Sequence, residues 1–260
     1  MARGRAWAEW LPPILLFVAV LAVWEGLALA FGIQSFLLPR PSVIAGQIAT
    51  LWPETLSRGI AFTAAEALGG LAIGTALGTI TGLAAARWAT ARDLLIPIGI
   101  GASTVPIIAF APITLNWFGP ESVLPRMTIV AVIVFFPVMV NTIRGLTLVE
   151  PAALELLTSY AATEWGVLFK LRIPNMLPYW FTAVRIATSL AVIAAVVGEF
   201  FGGPLYALGV YIRTRTGVSD YPSAWASIVV SCTLGIVFYL VALLAVRLVI
   251  PWYAAREAGR

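Results

Sequence analysis

Histidine is absent from this 260-residue chain, and cysteine occurs once, at Cys232. The first absence removes histidine-ligated metal sites and the Ser–His and Cys–His pairs that activate nucleophiles. The second excludes an intramolecular disulfide and any thiolate metal cluster. No Gly-x-x-x-x-Gly-Lys-Ser/Thr segment occurs either, so the chain has no phosphate-cradling loop of its own. Charged residues make up only 11% of the chain, where a soluble globular protein carries roughly a quarter. We therefore expect no catalytic residues, no metal site and no bound cofactor.

Apolar residues are what the chain has, at 61%. They gather into six stretches, over residues 11–31, 60–86, 94–117, 123–143, 176–200 and 225–250. Each approaches the ~20 residues needed to cross a hydrocarbon core ~30 Å thick. The first follows Arg3 and Arg5 like a signal peptide, but it is too long for a signal-peptide core and lacks a small-residue cleavage site, so it reads as a retained span. Barrel strands would alternate polar and apolar residues, and these stretches do not. The expected fold is all-α and polytopic, with six transmembrane helices in one domain over residues 1–260 and a core at about residues 55–250.

Charge sets the expected orientation. With the N-terminus inside, Arg3, Arg5, Arg87, Arg92, Arg144, Lys170, Arg172, Arg247, Arg256 and Arg260 lie on the cytoplasmic side. Arg40, Arg58, Arg126, Arg213 and Arg215 lie outside, and Arg185 falls within a span. The bias places both termini in the cytoplasm. Because the basic residues are scattered between spans, the net charge of +4 points to membrane topology and not to nucleic acid.

The connection over residues 32–59 carries Leu38-Pro39-Arg40-Pro41-Ser42, an extended entry into a short helix that Ser42 caps and Pro53 ends. The polar connection at about residues 146–175 holds apolar residues at helical spacing (Leu154, Leu157, Ala161, Leu168). Pro151 suits a first helical turn, Thr163 a second cap, and Pro174 the stop of that second helix. The result is a helix–turn–helix on the cytoplasmic side, with Tyr160, Ala161 and Ala162 at its corner. Trp165 and Phe169 are expected to face water, where apolar side chains suggest a protein partner.

This loop resembles the coupling loop of bacterial ATP-binding-cassette importer permeases, which has a Glu-Ala-Ala start, a glycine and a Leu-Pro close. Glu155 takes the opening, Ala161 the glycine position and Ile173-Pro174 the close, while Leu156 and Leu157 replace the alanines. A bend at Ala161 without positive φ is the expectation. Further matching segments are Trp117-Phe118-Gly119, Phe135-Phe136-Pro137 with Asn141-Thr142, Leu177-Pro178-Tyr179 and Arg185-Ile186-Ala187. In order, they are similar to the branch importing nitrate, alkanesulfonates, taurine and thiamine precursors. The resemblance implies an inner-membrane subunit that pairs with a second permease copy, as a homodimer. It also implies two separate ATPase subunits, which hold ATP and Mg, and an extracytoplasmic substrate-binding protein. Carried over, the docking residues are Glu155, Ser159, Tyr160, Ala161, Ala162, Thr163, Trp165 and Pro174.

Inside the spans, Gly70, Gly74, Gly78 and Gly82 recur every fourth residue and form a smooth face for close helix packing. Glu66, Arg185 and Glu199 are costly in hydrocarbon unless paired or facing water, as ion pairs or as pathway lining. Arg185 and Glu199, with Ser103, Thr104 and Asn116 of the proline-interrupted third span, are the pathway candidates. For the solute, Arg185 favours an anion such as nitrate or a sulfonate. Aromatic residues near the outer mouth (Phe200, Phe201, Tyr206, Tyr211) favour a flat heterocycle such as a vitamin or its precursor. A secondary transporter would show inverted repeats or several mid-membrane carboxylates, and an intramembrane enzyme would need acid–base residues; neither is visible.

Overall fold

The computed structural model describes residues 3–251 and contains only helices and turns among them; Arg256 and Arg260 of the charge tally lie outside the described residues. Helix α6 (Leu124–Thr147) is the axis of the bundle, with Val130, Val134, Val138 and Ile143 fully buried. Two long helices clasp it with small-residue faces. From one side comes α3 (Ser57–Ala86), whose Gly70, Gly74, Gly78 and Gly82 all lie against α6. A Cβ placed on Gly74 would stand 2.5 Å from the Ala131 carbonyl oxygen, so the backbones meet at a distance only glycine allows. From the other side comes α9 (Ile173–Glu199), which turns its buried Ala183, Ala187, Ala191 and Ala194 inward. In lipid no hydrophobic force drives helices together, so such close approach supplies the packing that holds the bundle.

The other elements surround this trio. Helix α1 (Arg3–Ala30) lies at the edge, joined by a Trp24–Trp225 contact with ring centres 5.5 Å apart. Helix α2 (Pro41–Leu51) begins with Pro41 in its first turn. Ser42 does not cap it, contrary to expectation: its N–H and hydroxyl both donate to the Glu25 carboxylate, at 3.0 and 2.7 Å. Nor does Pro53 end a helix. The chain widens into a π turn over Trp52–Leu56, which absorbs the missing N–H and runs on into α3.

The third apolar stretch is also not one helix. It splits into α4 (Ala89–Ala102) and α5 (Ala111–Phe118) with a short 3-10 turn between them. Pro106 disfavours helix at Val105, and the hydroxyls of Ser103 and Thr104 take the Gly99 and Gly101 carbonyls at 2.8 and 2.7 Å. The two pieces follow α6 from one end to the other: Leu95 and Ile96 pack near Met139 and Ile143, and Leu115 lies beside Gly202. Five helical runs are long and apolar enough to cross a membrane, and this broken segment is the remaining one of the six stretches.

Helices α7 (Pro151–Ser159) and α8 (Glu164–Val167) form the connection after α6. Pro174 does not stop α8. A π turn over Leu168–Arg172 joins α8 to α9, with Pro174 in the first turn of α9, so Glu164–Glu199 is one run of 36 residues. Helix α10 (Leu208–Gly217) and α11 (Tyr221–Val249) complete the described chain and pack on α9.

Candidate functional site

Two assemblies of polar residues occupy opposite ends of the bundle. The first is the α7–α8 corner. Ala161 adopts φ +49°, the left-handed region, which corrects the expectation of a bend without positive φ. The reason is the helix end itself: Ala162 N–H donates to Leu157 O at 3.0 Å and Ala161 N–H to Thr158 O at 2.9 Å. That is a Schellman closure, which requires a left-handed residue where glycine usually sits. Thr163 then caps α8, accepting from Gly166 N–H at 3.2 Å.

The corner presents apolar surface to water. Tyr160, Trp165 and Phe169 are 76%, 70% and 61% exposed, and the Trp165 and Phe169 rings stack with centres 6.0 Å apart. Behind them lies a cavity of about 370 Å³ lined by Leu154, Ala162, Trp165, Leu168, Arg87 and Arg172. Arg87, just past the end of α3, reaches Glu164 at 3.3 Å. Both partners are exposed, so this bridge aligns more than it stabilises. Glu155 is exposed, the Ser159 hydroxyl donates to Leu156 O at 2.7 Å, and Pro174 is exposed at the start of α9.

Sequence reasoning missed Asn175. Its side-chain amide donates to Gly145 O at 2.7 Å and Leu148 O at 3.0 Å, closing the end of α6 onto the start of α9. The signal was available, since asparagine beside a helix end is a ready partner for terminal carbonyls.

The second assembly lies at the other end and is wholly buried. Arg126, expected outside the membrane, sits in the first turn of α6 with no exposed surface. Its Nε donates to Glu66 of α3 at 2.5 Å. Its remaining nitrogens donate to Gly202 O at 2.9 Å, Ser122 O at 2.8 Å and Pro120 O at 3.2 Å. Glu199, expected on a pathway, is likewise enclosed: it accepts from the Thr63 hydroxyl at 2.7 Å and from Gly209 N–H at 2.6 Å. Between them, these residues tie α3, α6, α9 and α10 together. A lone Glu66 in an apolar run calls for a cation, and Arg126 was the partner to look for.

The other pathway candidates do not converge. Ser103, Thr104 and Asn116 lie on the exposed face of the broken α4–α5 segment. Arg185 is half-buried at the middle of α9 with no ion pair or side-chain hydrogen bond among the described residues. No group of three potential metal ligands occurs among them.

Residues 56–255 match the family model described as binding-protein-dependent transport system inner membrane component. The chain is 31% identical over 242 residues to the formylaminopyrimidine transport permease protein ThiX of Halalkalibacterium halodurans, covering 93% of this chain and 96% of that one. It is 28% identical over 249 residues to the riboflavin transport system permease protein RibX of Chloroflexus aurantiacus, covering 94% and 90%. Among solved structures, an amino acid ABC transporter chain superposes with a TM-score of 0.57 at 15% identity, over 74% of this chain and 92% of that one.

Proposed function

The chain belongs to the binding-protein-dependent transport system inner membrane components, the permeases of ATP-binding-cassette importers, and from that we propose that its α7–α8 corner is the lever on which a separate ATPase acts. One observation carries the reading. The exposed Trp165–Phe169 stack joins α8 to the π turn that follows it, and the helical run continues from there through α9. A rigid-body push on the corner is therefore delivered along a helix that crosses the bundle, as helix shifts are in other switching proteins. Family members work with ATPase and binding-protein partners in general. For this chain the proposed assembly is two ATPase subunits on a permease homodimer, with a binding protein outside and both chain termini in the cytoplasm. Arg126 leaves the outside tally on burial, which strengthens the positive-inside bias behind that orientation.

The solute we propose is a small organic nutrient, with planar heterocycles such as vitamin precursors placed first. Phe200, Phe201 and Tyr206 are exposed at the end of the bundle remote from the lever and offer stacking faces, whereas Tyr211 is buried. The relatives named for formylaminopyrimidine and riboflavin support that class. A second class, small anions such as nitrate or sulfonates, is favoured by Arg185, which has no ion-pair partner among the described residues.

The test is Glu155→Arg, a charge reversal on an exposed side chain that touches nothing in the core. The variant inserts in the membrane normally, while co-purification with the ATPase and transport-coupled ATP hydrolysis fall at least ten-fold. Normal coupling in Glu155→Arg, together with unchanged coupling in Trp165→Ala, would refute the docking role.

A further inference from the structure

The two roots of the α7–α8 connection are built differently. On one side the helical run Glu164–Glu199 leads without interruption from the corner into α9. On the other, α6 stops at Thr147, and Leu148, Val149 and Glu150 reach α7 as non-helical backbone, with ψ 63° at Leu148 and 126° at Glu150. Rotations in such a short link absorb a displacement that a hydrogen-bonded helix passes on. By the chain alone, then, motion of the corner reaches α9 and is lost before α6.

Asn175 bridges that slack. Its side-chain NH2 donates one hydrogen to Gly145 O inside the last turns of α6, at 2.7 Å, and the other to Leu148 O just past the helix end, at 3.0 Å. Carbonyls at a helix end lack intrahelical partners, so they are free to be held from another element. The helices also cross here in backbone contact: a Cβ on Gly145 would lie 2.7 Å from Met176 Cα and 3.1 Å from Met176 O. Among the described residues no other side-chain hydrogen bond joins α6 to α9. Elsewhere they meet through apolar side chains such as Val130, Val134, Ala187 and Ala191, and apolar packing is non-directional. A cap serves one helix, whereas this amide ties both roots of the loop to each other, just beyond the π turn over Leu168–Arg172.

Resting on the lever reading above, we propose that Asn175 is the positioning residue that hands motion of the α7–α8 corner to α6, so that α6 and α9 swing as one body.

The test uses the permease–ATPase complex in lipid nanodiscs, with a bimane fluorophore on one introduced cysteine in a Cys232→Ser background. Ala152→Cys reports the lever, from an exposed site on α7, and Leu124→Cys reports the far end of α6, where Leu124 is 47% exposed. Emission is compared without nucleotide and with ATP and vanadate, and with Asn175 in place both labels should respond. Two lost hydrogen bonds shift an equilibrium by about ten-fold, so in Asn175→Leu the Leu124 response should fall about five-fold while the Ala152 response stays within about two-fold. An undiminished Leu124 response in Asn175→Leu, or a Leu124 label that is silent beside a responding Ala152 label when Asn175 is present, overturns the proposal and leaves the lever standing. Asn175→Ala is read in the same way, and loss of ATPase co-purification in both variants overturns the proposal by making the clasp purely structural. Failure of the lever itself shows separately, as an Ala152 label that does not respond with Asn175 in place.

Discussion

Replacing Arg126 with methionine removes one buried charge and strands another. Glu66 would keep its carboxylate in the bundle interior, and the Gly202, Ser122 and Pro120 carbonyls would each lose a charged donor. Removing one partner of a buried ion pair costs about 3–5 kcal/mol, and orphaned acceptors add to that without summing in full. Glu66→Gln is milder, since the guanidinium keeps its three carbonyls and the amide oxygen still accepts; about 2 kcal/mol is expected. The double variant Glu66→Leu with Arg126→Met removes both members of the ion pair, so Glu66 is not left as a buried charge without its partner. It should be more stable than Arg126→Met alone by about 2 kcal/mol. Thermal or SDS-driven unfolding of the purified permease, run as a double-mutant cycle, gives the coupling directly. Singles whose effects add to within about 0.5 kcal/mol in the double would refute the claim that this pair braces the bundle.

Two further outcomes rest on backbone geometry. Gly74→Ala pushes a methyl against the Ala131 carbonyl, whereas a Cβ on Gly101 meets nothing within 4 Å. The first should therefore cost about 1–3 kcal/mol and the second well under ~1 kcal/mol, by the same unfolding measurement. Ala161→Gly should stabilise the α7–α8 corner by about 1 kcal/mol, because alanine bears the left-handed strain at φ +49°. Hydrogen exchange at Ala162 should slow in that variant, and unchanged exchange would count against the Schellman closure.

How much of this was legible beforehand depended on range. Thr163 and Pro151 act where their local chemistry says, because capping and first-turn proline are decided within a few residues. Prolines farther along misled. Pro53 and Pro174 read as stops, yet π turns and first-turn placement let the chain continue through them, a choice made by how α3 and α9 pack in the bundle. Ser42 read as a cap, and its donors went instead to Glu25, which is remote in sequence. Arg126 read as a loop cation for the same reason, since its partner Glu66 lies on another helix 60 residues away.

The sequence alone determined that lipid is this protein's solvent, because an 11% charged chain with six apolar stretches can satisfy its backbone there only as helices. It carries no phosphate-cradling loop, and a separate ATPase is the expectation drawn from that. Tertiary structure alone decided which of the described intramembrane charges are spent on packing. Glu66, Glu199 and Arg126 are consumed in holding helices together, and Arg185 is not. Pairing depends on which helix faces come into contact, and periodicity along one chain does not encode that.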